Sequence, residues 1–396
     1  MSPYNNFNAE RYLMPDLVRA VALIGIALVN VSVISYPLAG GYIHGGLHTT
    51  LDSMAFFLVM GLCTMKFYPL FSFMFGVGFA YQMKFADRAG VSFGWQYLRR
   101  IIGLAVFGFL NIALLFQGDV LMMYAMLGSL LFFFRNSSTQ TLLKWGISFY
   151  ILQIFIFLIF TTGLYLGQKF TPDDMNAELA SISETVIRSH TVYASEHFTD
   201  SVILRLQEWS EIIQIGIFMD GLGAMAFFLF GFAAVKSDII ADPQALIWRR
   251  FRIVFLPIGI IGSFVGAYIQ SLGDNLLSPL NMLGMTLIAI FALFSSAGYL
   301  GLIAKWTSGP ITNFKVFMAR GGTTTLTAYL LQGLFLSLIF NGYGLGYFAK
   351  FGAFECTLIA LFVSLMTLSL ASLWRKYFKL GPFERVLKKL TYLSAR

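Results

Sequence analysis

His44, His48 and Asp52 stand four residues apart, so on one helix they would share a face. A carboxylate beside an imidazole fixes its tautomer and orients it as a general base, and two imidazoles with one carboxylate are also a metal-ligand set. Gly45 and Gly46 weaken any helix running through His44. His48 with Asp52, one turn apart, is therefore the expected base and its orienter, and no metal is expected. The other two histidines, His190 and His197, fall, like these, in segments read below as outer loops.

A second set of polar residues lies in or beside apolar runs. Asp16 and Arg19, at i and i+3, are expected to pair at the mouth of the first run. Asn30 lies about 16 Å deeper at 1.5 Å per residue, where an amide needs a partner or a substrate. Asp220 sits well inside a later run, where a charged carboxylate costs roughly 2.5–3.5 kcal/mol. Asp119, in the tight turn Gly118-Asp119-Val120-Leu121, either caps the helix that follows or points into the same outer cavity as Asp52.

The elements that must position these groups are membrane spans. With 58% hydrophobic and only 12% charged residues in 396, and a mean hydropathy of +0.75, the chain lies outside the soluble globular range. Its net charge of +8 comes from short basic runs between apolar stretches. That pattern marks cytoplasmic loops and excludes nucleic-acid binding. Cys63 and Cys356 lack the spacing of a disulfide framework or zinc site.

Runs at 17–36, 67–84, 101–118, 119–135, 142–167, 212–235, 251–271, 280–303, 323–341 and 352–374 are long enough to cross. The expectation is an all-α, polytopic transmembrane helix bundle of about ten spans, with 51–65 as one short outer interfacial or re-entrant helix. Lys84, Arg88, Arg99 and Arg100 on one loop, and Arg11 with Arg19 before the first span, then put both termini in the cytoplasm. Residues 1–396 read as a single transmembrane domain in contact with the bilayer. Its large polar insert, 169–211, carries eight acids against three bases. The insert is expected outside, as amphipathic helices over the mouth of the bundle.

Lys66-Phe67 followed by Leu70-Phe71-Ser72-x-x-Phe75-Gly76-x-Gly78-x-Ala80 resembles the signature of the YeiB-like bacterial membrane proteins, the family of domain of unknown function 418. So do Asp16-x-x-Arg19 with Val29-Asn30-Val31, Gly118-Asp119-x-Leu121-x-x-Tyr124-Ala125, and Gly322, Tyr329, Gln332 with Gly381-Pro382-Phe383-Glu384. One departure is Asn111, where that family commonly has His; an amide hydrogen-bonds but is no base.

The resemblance implies the bacterial inner membrane. It also implies a distant likeness to transmembrane acyltransferases, which pass an acyl group from a cytoplasmic thioester to an acceptor outside. On that likeness, acyl-CoA phosphates are expected on Arg99, Arg100, Arg249, Arg250 and Arg252, and the pantetheine arm beside Gly76 and Gly78. His48 acts as base, Asp52 orients it, Asn30 or Asn111 faces the oxyanion, and a sugar or lipid-linked molecule is the acceptor. Positive-inside topology alone would also produce the arginine cluster. The alternatives are a transporter or exporter with its site at Asp220, Asn30 and Arg19, and a non-enzymatic partner or sensor using the acidic insert.

Overall fold

The computed structural model describes residues 13–41 and 46–392. Among them every regular element is helical. The order begins α1 (Leu13–Ser35), α2 (Thr50–Leu62), α3 (Phe67–Ala89), α4 (Phe93–Leu114), α5 (Val120–Leu131) and α6 (Thr139–Phe170). It continues α7 (Pro172–Ala194), α8 (Phe198–Gly216), α9 (Leu222–Lys236), α10 (Leu246–Arg250) and α11 (Leu256–Ser271). It closes α12 (Pro279–Ser308), α13 (Asn313–Gly322), α14 (Thr325–Phe340), α15 (Ala353–Tyr377) and α16 (Pro382–Thr391). Short π-helical turns at Ile217–Gly221 and Phe251–Phe255 join α8 to α9 and α10 to α11.

Among the described residues, eight helical stretches are long and apolar enough to cross a membrane, or nine if α13 and α14, bent by 80°, count as one span. Eight or nine candidate crossings thus stand beside the expected ten or so. The run 119–135 forms α5, whose 12 residues rise only about 18 Å against a hydrocarbon core of about 30 Å. The short segment 51–65 becomes α2, which leads into α3 as one apolar stretch of 40 residues. At their joint Met65 takes a positive φ of 59°. Lys66, 0% exposed, donates from Nζ to the carbonyls of Met60 and Thr64, which satisfies the open end of α2.

Close helix contacts run through glycine. A Cβ on Gly76 of α3 would collide with the Phe228 carbonyl of α9, and one on Gly231 of α9 with the Phe73 carbonyl of α3. Between α11 and α12, Gly262 receives the Phe291 ring and Gly266 lies against Gly284. Small residues are what allow helices in lipid to approach this closely.

The basic termini of α4 and α15 lie at one end of the bundle, where α16 packs on α4 through Leu387 and Leu390 at Gly103. The acidic insert closes the other end as the helical hairpin α7–α8. Glu208 accepts from Ser189 Oγ at 2.8 Å and from Tyr193 Oη at 2.6 Å. Burial, with the Glu208 charge beside it, pushes the Tyr193 phenol well up. Arg205, 1% exposed, donates to the Ala113 and Leu114 carbonyls at the end of α4 and to Tyr343 Oη. Its guanidinium also lies over the Tyr193 and Tyr343 rings.

Arg205→Ala would strand those helix-end carbonyls, and charged hydrogen bonds contribute about 1.5–3 kcal/mol each. The expected result is a loss of at least about 3 kcal/mol of stability, read as a lowered thermal transition of the purified protein. Arg205→Lys should restore little of it, because an ammonium lacks the planar fork. An unshifted transition in Arg205→Ala would refute the clamp.

Candidate functional site

Two cavities enter the bundle from its opposite ends. The one at the basic end, about 310 Å³, is lined by Arg19, Arg100, Glu384 and Lys388, with Tyr124 and Tyr329 also on its wall. Arg19 Nη1 lies 3.2 Å from Asp16 Oδ1. The Arg100 guanidinium stacks 5.6 Å from the Phe75 ring centre, and its Nε is buried without a hydrogen-bond partner. Gly78 leaves room beside it, since a Cβ there would stand 3.8 Å from Arg100 Nη2. Glu384 of α16 is tied down by accepting from Thr327 N at 3.0 Å and Thr327 Oγ1 at 2.5 Å.

The cavity at the insert end, about 360 Å³, is lined by Asn30, Tyr68, Gln117, Asp119, Trp209 and Asp220 among others. Ile26 and Val120 line both cavities, so these side chains form the partition. Asp119, 7% exposed, stands at that partition as the N-cap of α5. Its Oδ2 accepts from Met122 N at 2.9 Å. Its Oδ1 accepts from Asn111 Nδ2 at 2.7 Å and from Tyr329 Oη at 3.0 Å. Asp119 faces the insert-end cavity and Tyr329 the basic-end one, so one hydrogen bond spans the partition.

A second polar chain runs alongside. Tyr124 Oη lies 2.8 Å from Ser72 Oγ and donates to the Tyr68 carbonyl at 2.9 Å. Tyr68 Oη accepts from Gln153 Nε2 at 3.3 Å, and Gln153 also donates to the Met219 carbonyl.

The residues singled out in the sequence divide. Asn30, Asp119 and Asp220 line the insert-end cavity, Arg19 and Arg100 line the basic-end one, and Asn111 holds Asp119. His48 is exposed and lines neither cavity, while His44 lies outside the described residues. Among the described residues, Asp52 makes no hydrogen bond to an imidazole. Its oxygens accept from Thr49 N and Oγ1 at 2.8 and 2.7 Å and from Phe354 N at 2.9 Å. This is a capping box that also ties α2 to α15.

Gly76 is committed to the α3–α9 contact. Arg99 lines neither cavity. Arg249, Arg250 and Arg252 belong to the α10–α11 junction, which packs on α12 at Gly301. Gln117, Trp209 and Lys388 line the cavities without having stood out in the sequence, and Tyr329 stood out only as part of a family motif. Among the described residues no group of three His, Cys, Asp or Glu is placed to hold a metal ion.

These features define a polytopic helical membrane protein with two opposed cavities meeting at a buried carboxylate. Residues 234–394 match the family described as Protein of unknown function (DUF418). The chain is 26% identical to the uncharacterized protein YeiB of Escherichia coli (strain K12), covering 98% of this chain and 97% of that protein. It is also 26% identical to the uncharacterized protein YxaH of Bacillus subtilis (strain 168), covering 97% and 95% respectively. An uncharacterized 39.9 kDa protein in the amylase 3'region of Bacillus acidopullulyticus is 34% identical over 40% of this chain and 46% of its own length. Over nearly its whole length the chain is similar to the uncharacterized YeiB and YxaH proteins, and its residues 234–394 carry the DUF418 match. No solved structure matches it.

Proposed function

We propose that the protein transfers an acyl group from a cytoplasmic acyl-CoA in the basic-end cavity to an acceptor in the insert-end cavity. The observation that carries this reading is the shared partition: Ile26 and Val120 belong to both cavities, and the Tyr329–Asp119 hydrogen bond joins them. Positive-inside topology favours the end bearing Arg19, Arg100 and Lys388 as the cytoplasmic one, in a bacterial inner membrane. Those three cations meet the donor's phosphates, and the thioester reaches toward Val120.

Asp119 then takes the role of base, in preference to His48, because it stands where donor and acceptor meet. It removes the proton from the acceptor nucleophile as that group attacks the thioester carbonyl. The tetrahedral intermediate collapses with cleavage of the C–S bond. The thiolate leaves with the proton returned from Asp119, giving acylated acceptor and free CoA.

The test is calorimetric titration of acetyl-CoA and longer acyl-CoAs into purified protein, followed by transfer to acceptors in proteoliposomes. Arg100→Ala is expected to weaken donor binding at least about tenfold, the equivalent of about 1.4 kcal/mol. No saturable binding at any chain length would remove this reading. Two opposed cavities around one partition also suit a carrier. Flux of a solute through protein-bearing vesicles without any acyl donor would favour that second reading.

A further inference from the structure

The insert-end cavity presents polar side chains that the fold leaves unsatisfied. Gln117 is 4% exposed, lines the cavity and has no hydrogen-bond partner among the described residues. Asn30, on the same wall, has none either. Asp220 is half-buried, makes no hydrogen bond or ion pair with another described residue, and lines the cavity. It sits on the π-helical turn Ile217–Gly221, a widened turn of a kind frequent at functional sites. Three polar side chains without a partner among the described residues, Gln117 buried and Asn30 and Asp220 half-buried, thus face one space large enough for a small ligand.

The charge of that space is one-sided. Its ionisable wall residues include Asp119 and Asp220, and no lysine, arginine or histidine among the described residues lines it. Asp119 already accepts three hydrogen bonds, which leaves Asp220 as the carboxylate free for a ligand. Trp209 adds an indole face and N–H, a surface suited to cations. The α7–α8 hairpin around the opening carries exposed Glu184, Glu196, Asp200 and Glu211, with Arg188 as an exposed base between them, a net acidic field that favours cations over anions.

We propose that this cavity binds a small hydrophilic molecule bearing a protonated amine, with its ammonium group on Asp220 and its hydroxyl groups on Asn30 and Gln117. That this molecule is also the acyl acceptor rests on the reading above; its binding does not.

The experiment uses full-length protein in nanodiscs, without acyl-CoA. Two triplets matched in size serve as probes: glucosamine, glucose and glucuronate, and ethanolamine, ethylene glycol and glycolate. In at least one triplet the amine is expected to bind at least about tenfold tighter than its neutral and anionic analogues. Asp220→Asn should abolish that preference, Asp220→Glu should keep it, and Gln117→Ala should weaken binding of the amine without changing the preference. If no amine outbinds its analogues, or if glucuronate or glycolate binds best, the proposal fails. If Asp220→Asn does not fold, the comparison within each triplet on the native protein still decides. Amine binding without acyl transfer would remove the transferase reading alone, whereas transfer to acceptors with no amine preference would remove this one alone.

Discussion

Asp119→Asn is expected to slow acyl transfer in proteoliposomes at least about a hundredfold while leaving a folded protein, since a positioned general base contributes about 10²–10⁴-fold. The substitution keeps the size of the side chain and one carbonyl oxygen, so the pairing with Asn111 and Tyr329 can persist in part. What is lost is the capacity to take a proton. Asp119→Ala is a different experiment. It strands Asn111 Nδ2, Tyr329 Oη and the Met122 amide in a buried place, at about 1–3 kcal/mol for each group left unsatisfied, so its loss of activity would mix chemistry with unfolding. Transfer rates for Asp119→Asn at matched incorporation, beside its thermal transition, separate the two. A wild-type rate would remove Asp119 from the chemistry.

Gly76→Ala and Gly231→Ala should each destabilise the protein by about 3 kcal/mol or more, the upper part of the range for overpacked cores. Either Cβ would land on a backbone carbonyl of the facing helix, Phe228 for Gly76 and Phe73 for Gly231. A carbonyl in a helix cannot step aside as a side-chain tip can, so α3 and α9 must separate along their length. Gly78→Ala is the internal comparison. Its Cβ would meet Arg100 Nη2 at 3.8 Å, an ordinary contact, and the thermal transition should hardly move. Equal transitions for all three variants would show that the α3–α9 contact is not the close seam described here.

The helical class of the fold was legible because apolar length is decisive in lipid, where a spanning segment must satisfy its own backbone. The count was less so. Run length alone cannot tell the short α5 or the bent α13–α14 pair from a straight crossing. Asp52 shows a different limit: Thr49-x-x-Asp52 has the spacing of a capping box, and the same carboxylate four residues from His48 also resembles a catalytic pair. The observed bonds to Thr49 and to Phe354 N show the capping role and the tie to α15, neither of which the spacing alone distinguishes from a catalytic pair.

Asn30, Asp119 and Asp220 stood out because polar side chains are rare in such runs, and all three line one cavity. Gln117, at the very end of the 101–118 run, and Trp209, on an amphipathic helix of the insert, gave no such signal, because polar residues and indoles are ordinary at such boundaries. Arg205 and Tyr329 act on partners far away in sequence, at Leu114 and Asp119, and no local spacing encodes such contacts.

The shared wall of Ile26 and Val120 also has an electrical meaning. A membrane voltage falls across whatever insulates, and cavities that open from both ends shorten the insulating layer to the partition between them. The work of about 2.3 kcal/mol per elementary charge per 100 mV is then concentrated on the few ångströms around Asp119 and Tyr329. A proton moving between these two groups would cross a large share of the membrane potential in a single hydrogen bond, so an energised membrane acts directly on the place where the two cavities meet.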